Sequence, residues 1–221
     1  MRILNLYAGI GGNRKLWDKE HLGFDVEVTA IELNPQIAKI YQDFFPRDKV
    51  IIADAHQYLL EHFKEYEFIW SSPPCQSHSR INIANCLSPY KDNSKQIKHG
   101  GGIPIRYPDL KLYEEIILLK HFYKGKYCVE NVIPYYQVLM DCISIHRHCI
   151  WSNFKISPLK LPRDLINKDG DKNRGKRLGF DIRKYKIAER KDTILRNCVN
   201  PELGLHILNE SKRNIQPELF K

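Results

Sequence analysis

No stretch of this chain approaches the roughly 20 consecutive apolar residues that a membrane-spanning helix needs, so no membrane partner is expected. The opening Met1-Arg2-Ile3-Leu4-Asn5-Leu6 has neither the long apolar core nor the small-residue cleavage site of a signal peptide. A soluble cytoplasmic protein is the expectation. The six cysteines (Cys75, Cys86, Cys128, Cys142, Cys149 and Cys198) include no Cys-x-x-Cys pair. Their scatter argues against a zinc site and a disulfide framework, and no metal is expected. Internal repeats are missing too. Acidic residues are outnumbered, 26 Asp plus Glu against 35 Lys plus Arg, for a formal charge of +9. An excess of that size favours a polyanionic partner such as nucleic acid. Apolar residues are plentiful: at 43% of 221 residues they can build the core of one domain.

Strand-like and helix-like patterns alternate. Arg2 to Tyr7 reads as a strand closing on Ala8-Gly9-Ile10-Gly11-Gly12, and Asn13 to Leu22 as a helix. Val26 to Ile31 is β-branched and ends at Glu32; Asn34-Pro35 then has the cap-and-first-turn chemistry of a helix start. Val50 to Ala53 is a third strand, followed by Asp54, and Phe68 to Ser71 a fourth. Asp109 to Lys124 is an amphipathic helix, Tyr127 to Glu130 a fifth strand, and Glu202 to Asn209 regains helical spacing. Short connections between alternating β and α segments predict an α/β fold with a doubly wound, mostly parallel sheet. Ser77 to Gly102 is polar and glycine-containing, the composition of a functional lid.

Three strand ends and one turn carry the chemistry. Ser72-Pro73-Pro74-Cys75-Gln76 follows the apolar Phe68-Ile69-Trp70. Two prolines stop the strand and stiffen the turn. They present a thiol at the carboxyl rim, where open α/β sheets place their sites. A lone cysteine is more commonly a buried structural one; this context points instead to covalent chemistry at Cys75. Gly9-x-Gly11-Gly12 allows close backbone approach to a ligand. Glu32 stands where an acid takes ribose hydroxyls, and Asp54 where one can accept from an adenine amino group. One carboxylate at a strand end is commonly a helix cap, but the three together describe a cleft for an adenosine-bearing cofactor.

With those residues in view, the chain resembles the DNA (cytosine-5) methyltransferase family over most of its length. Leu6-Tyr7-Ala8-Gly9-Ile10-Gly11-Gly12 is similar to that family's S-adenosylmethionine loop, Ala30-Ile31-Glu32 to its ribose-binding strand end, and Asp54 to its adenine-contacting acid. Ser72-Pro73-Pro74-Cys75-Gln76 resembles the nucleophile motif. Val129-Glu130-Asn131-Val132, about 55 residues on, resembles the motif whose glutamate contacts the target base. Arg196-Asn197-Cys198-Val199 resembles the last motif, which completes the cofactor pocket. Departures accompany these matches. Leu33 stands where many relatives carry Trp, and Ser77-His78-Ser79 follows Gln76 where Phe-Ser is usual. His146-Arg147-His148 replaces Arg-x-Arg, so that His148 falls at the second arginine. Asn197-Cys198-Val199 carries a thiol in place of a hydroxyl.

The resemblance implies an S-adenosyl-L-methionine-dependent methyltransferase fold. It places the catalytic and cofactor-binding domain at 1–156, a short basic target-recognition region at 157–181, and a segment returning to the catalytic domain at 182–221. It implies Cys75, Glu130, Arg147 and His148 as catalytic residues. Cofactor contacts would come from Tyr7, Ala8, Gly9, Gly11, Gly12, Glu32, Leu33, Asp54, Pro74, Asn197 and Val199. Nucleic-acid contacts would come from Gln76, Ser79, Arg80, Lys91, Lys172, Arg174 and Arg177. The implied reaction adds the Cys75 thiolate to C6 of cytosine in a flipped-out base, with Glu130 at N3; neighbouring cations are expected to lower the thiol's pKa. The base that removes the C5 proton stays unassigned. Double-stranded DNA is the substrate of first choice, for a monomer with a possible cognate restriction nuclease. Alternatives are a tRNA cytosine-5 methyltransferase of the same family, a non-catalytic nucleic-acid-binding relative, and a cysteine hydrolase pairing Cys75 with His78 or His148.

Overall fold

In chain order the strands are β1 (Arg2–Leu6), β2 (Glu27–Ile31), β3 (Lys49–Ile51), β4 (Phe68–Ser71), β5 (Tyr90–Lys91), β6 (Ile97–Lys98), β7 (Lys126–Val132), β8 (Ile143–Ile145) and β9 (His148–Ser152). This computed structural model describes residues 1–81, 90–91, 97–98, 107–161 and 171–213, without the side chains of 90–91, 97–98 and 171–173. Seven strands form one sheet in the order β3-β2-β1-β4-β7-β9-β8, and β5 pairs with β6 in a separate ribbon. From β3 to β7 the ladders are parallel; β9 runs antiparallel to both β7 and β8. The predicted doubly wound, mostly parallel sheet is present, with an antiparallel edge added. The chain reverses its winding between β1 and β4, and the crevice outside the carboxyl ends of those strands is the position where such sheets bind ligands.

Alternation along the strands divides the core. Leu4, Leu6, Ile69 and Val129 face α3 (Ala55–His62) and α4 (Lys111–Phe122), where Leu59, Leu112, Ile116 and Leu119 are buried. Ile3, Phe68, Trp70, Cys128 and Ile150 face the other way, onto Trp17 and onto Leu203 and Ile207 of α7 (Pro201–Arg213). Thus the C-terminal helix closes the face that the first helical turn opens. Between them come α5 (Asp171–Leu178) and α6 (Lys191–Asn197).

The predicted helix over 13–22 is broken in two. A 3-10 turn at Asn13–Leu16 is followed by α1 (Lys19–Leu22). A continuous helix would pair the Trp17 carbonyl with the His21 N–H. Instead the Arg14 guanidinium donates to that carbonyl at 2.7 Å, while the His21 N–H goes to the Asp18 carboxylate, the N-cap of α1. Arg14 also makes a two-pronged ion pair with buried Asp48 at 2.8 and 2.9 Å, and Asp48 accepts the Tyr41 hydroxyl at 2.9 Å. This clamp ties the turn after β1 to α2 (Pro35–Phe44), which starts at the predicted Asn34 cap. The β8–β9 hairpin had no counterpart in the sequence reading.

Candidate active site and cofactor cleft

The cleft begins where β1 gives way to its glycine turn. Tyr7 and Gly9 both adopt positive φ, 54° and 55°, which swings the chain across the strand ends. A Cβ built on Gly9 meets nothing within 4 Å, so this backbone borders open space. The other two glycines serve packing. A Cβ on Gly11 would lie 2.3 Å from the Phe45 ring, and one on Gly12 would lie 2.5 Å from the Val199 carbonyl. Ala8 is buried against Ala30 and Tyr41. Of the expected glycine-loop contacts, Gly9 alone has its α-carbon side open, while Ala8, Gly11 and Gly12 hold the loop in place.

Glu32 accepts the Gly9 N–H at 2.9 Å with one oxygen and the Asn34 N–H at 2.9 Å with the other. Burial pushes its carboxyl above the usual range, although these amides pull it back. Each oxygen keeps a lone pair for a further donor. Leu33 and Ile52, at the ends of β2 and β3, are 67% and 58% exposed. Two large apolar side chains left in water at neighbouring strand ends suit an aromatic ring, and Ile52 escaped the sequence reading. Asp54 is exposed and caps α3, accepting the Gln57 N–H at 2.9 Å. An open Gly9 backbone, the half-buried Glu32 carboxylate and an apolar slot fit the chemical parts of S-adenosylmethionine. Val199 belongs to the core and Asn197 is exposed; the C-terminal motif meets the cleft through the Val199 backbone against Gly12.

The nucleophile turn is pinned on three sides. Asn131 donates to the Pro73 carbonyl at 2.9 Å. The amides of His78 and Ser79 both donate to the Cys75 carbonyl, at 3.0 and 2.9 Å. Ser71, the last residue of β4, and Ser72, which follows it, each donate to a buried glutamate. The Ser71 hydroxyl reaches Glu115 at 2.6 Å, and the Ser72 hydroxyl reaches Glu130 at 2.9 Å. Cys75 is half-buried. Burial and the Glu130 charge push its thiol up, and Arg147 offsets only part of this. The expected lowering of the thiol's pKa is therefore corrected: the surrounding cations do not outweigh desolvation.

Glu130 lies on β7 and His148 on β9, and their register (Val132 opposite His148, Glu130 opposite Ile150) makes them diagonal neighbours on one face. His148 Nδ1 bonds the Glu130 carboxylate directly. Burial raises the Glu130 carboxyl, but His148, the Ser72 hydroxyl and Arg147 together hold it below its ordinary value. His148 thus buttresses Glu130. His78 is buried with Nδ1 on the Tyr136 hydroxyl at 2.5 Å, and its Nε2 has no hydrogen-bond partner. Neither imidazole is arranged as a base for Cys75, which removes the geometric support for a cysteine hydrolase.

Arg147 contributes to the field at Cys75 and Glu130 and lines a cavity of about 430 Å³ with Lys15, Arg174, Lys176, Arg177 and Arg196. Arg174 is committed to an ion pair with Asp192 and is buried, so its expected role as a nucleic-acid contact gives way to fastening α5 on α6. Arg177 and Lys176 are exposed at this cavity; near Cys75 in sequence, Pro74, Gln76 and Arg80 are exposed too, and Ser79 bridges to Pro134. The side chains of Lys91 and Lys172, and most of the expected lid, lie outside the described residues. All five described cysteines are free thiols. Among the described residues no helix is long and apolar enough to cross a membrane.

The first part of the chain is similar to known proteins. The mouse protein "tRNA (cytosine(38)-C(5))-methyltransferase" is 34% identical over 85 residues, which cover 38% of this chain and 20% of that protein. Its human counterpart is 30% identical over 96 residues, 42% of this chain and 24% of that one. The match therefore spans a fifth to a quarter of these relatives' length. Among solved structures, a Spodoptera frugiperda DNMT2 mutant aligns over 59% of this chain and 35% of its own, with 27% identity and a TM-score of 0.37. The family model described as C-5 cytosine-specific DNA methylase matches residues 1–88, from β1 through the Cys75 turn.

Proposed function

We propose that this chain is a cytosine-5 methyltransferase that uses S-adenosylmethionine and acts on tRNA. The observation that carries the reaction type is the Cys75 turn, pinned beside the Glu130–His148 couple at the rim of a cleft suited to an adenosine. The sequence reading put duplex DNA first. The curated relatives named as tRNA methyltransferases support RNA better, and an unpaired loop base costs less to unstack than a base in a duplex. DNA remains a second reading, favoured by the description of the matching family.

In this reading the Cys75 thiolate adds to C6 of the ring. The raised thiol makes the thiolate scarce at neutral pH, so its formation is coupled to docking of an electron-poor ring. Charge that builds on the ring as the C–S bond forms is met at N3 by the Glu130–His148 couple. Here a proton on the imidazole side is handed through the carboxylate, which stabilises charge where it develops. Bound S-adenosylmethionine supplies the electrophilic methyl that C5 takes. Loss of the C5 proton then returns the electron pair to the ring, and the C–S bond breaks to release Cys75. Arg147 and the cations of the neighbouring cavity suit the phosphates that flank the target.

Transfer of a labelled methyl group to tRNA and to duplex DNA tests the reading, together with adduct formation on each polymer carrying 5-fluorocytosine. Transfer to tRNA and an adduct lost in Cys75→Ser are expected. Transfer to DNA alone would reverse the substrate assignment. No adduct on either polymer, with cofactor demonstrably bound, would refute the chemistry.

A further inference from the structure

Glu115 has no exposed surface, although it is a carboxylate in the middle of α4. Burying such a group is costly unless it is fully hydrogen-bonded. Three side chains from three different elements meet it. The Tyr7 hydroxyl, just after β1, donates at 2.6 Å; the Ser71 hydroxyl, at the end of β4, donates at 2.6 Å; and His56 Nδ1, in the first turn of α3, lies at 3.1 Å. Each donor sits at the rim of the sheet. Tyr7 is two residues before Gly9 and Ser71 is four residues before Cys75.

Tyr7 also holds a backbone conformation that a non-glycine residue rarely adopts, with φ at 54°. Such a conformation persists only when its surroundings over-determine it, and the hydroxyl bond to Glu115 is one contact that holds the Tyr7 side chain, beside its packing on the core. On the other side, Ser71 is fully buried and is followed by the Ser72–Glu130 bond. The end of β4 is thereby fixed from below by Glu115 and from above by Glu130, immediately before the two prolines.

We propose that Glu115 is a positioning residue that couples the cofactor turn to the nucleophile turn, so that one buried carboxylate sets the placement of both Gly9 and Cys75. The inference rests on the methyltransferase reading. It predicts cross-effects between positions that do not touch. Tyr7→Phe, on the cofactor side, changes the iodoacetamide alkylation rate of Cys75, followed by mass spectrometry. Ser71→Ala, on the nucleophile side, changes the Kd for S-adenosylhomocysteine. Each cross-effect is about threefold to tenfold, in the range of coupling within one hydrogen-bonded network. Both vanish in the Glu115→Gln background, in which the shared anion is gone.

A purely structural glutamate would lower the thermal midpoint and leave the cross-effects absent, or equal in both backgrounds; either result overturns the inference. All measurements are made below each variant's unfolding transition. Should Glu115→Gln fail to fold, the two single variants in the wild-type background still decide: cross-effects below twofold refute the coupling. Wild-type protein that binds no S-adenosylhomocysteine sinks the functional reading and this inference with it. Binding without coupling sinks the inference alone.

Discussion

Gly9→Ala and Gly12→Ala, three residues apart, are expected to fail in opposite ways. At Gly9 the added methyl enters open space, so the cost is conformational: alanine at φ 55° loses about 1 kcal/mol. For a chain of this size that lowers Tm by roughly 2–4 °C. The same methyl occupies the border of the cleft, and the affinity for S-adenosylhomocysteine drops by about tenfold or more, the equivalent of ~1.4 kcal/mol. At Gly12 the methyl lies 2.5 Å from the Val199 carbonyl and 2.9 Å from its nitrogen, against a comfortable C···O separation of about 3.3 Å. The obstacle is backbone, so the Cys198–Val199 segment must retreat by nearly 1 Å. Overpacking of this kind costs about 1–3 kcal/mol, or roughly 2–12 °C in Tm. Thermal denaturation and isothermal titration of the two variants separate the outcomes. A Gly9→Ala protein that binds as tightly as wild type, or a Gly12→Ala protein that melts with wild type, would show that the glycines have been assigned the wrong tasks.

Glu130→Gln removes an anion that holds the Cys75 thiol up, so its alkylation by iodoacetamide at pH 7.5 rises while methyl transfer falls; parallel movement of the two rates would contradict the site as described. Between pH 7 and 8.5 the wild-type alkylation rate climbs close to tenfold per unit, as expected of a thiol whose pKa lies above that window, and a plateau there would refute the raised thiol. Asp48→Ala leaves the buried Arg14 guanidinium unpaired at a cost of about 3–5 kcal/mol, read as a Tm loss near 10 °C. His56 is raised above 6.5, chiefly by its bond to Glu115. Its contribution is therefore complete below pH 6.5 and fades as pH climbs through the folded value. The stability gap between wild type and His56→Gln should shrink from pH 6.5 upward, and a gap that widens would reverse the assignment. Lys176→Ala, on the rim of the basic cavity, should weaken tRNA binding and reduce its salt slope by about one.

What could be read without coordinates was local. The turn chemistry after Ser71, the Asn34 cap and the glycines after β1 depend on neighbours within a few residues, and each sits where its local pattern puts it. Contacts across the chain left no such trace. Glu115 reads as one polar residue on the helix face shared by Leu112, Ile116 and Leu119, yet its partners Tyr7 and Ser71 lie 108 and 44 residues away. Gly12 looks like part of a ligand loop, and only its approach to Val199 reveals a packing task. The break in the first helix follows from where Arg14 sends its guanidinium, which no propensity encodes. Cys149-Ile150-Trp151, a short apolar run, is equally a strand or a buried helical turn.

The hairpin joining β8 to β9 turns on two residues, His146 and Arg147, with His146 at φ 56°. Side chains on β9 alternate between the two layers of the molecule, so adding one residue to this turn, ahead of Arg147, would exchange the entire strand's allegiance. The arginine would then stand over Glu130 and the imidazole would point away. A ring bonded to the carboxylate would be replaced by a permanent cation, and a single codon insertion becomes a means of asking whether Glu130 tolerates a fixed charge at its side.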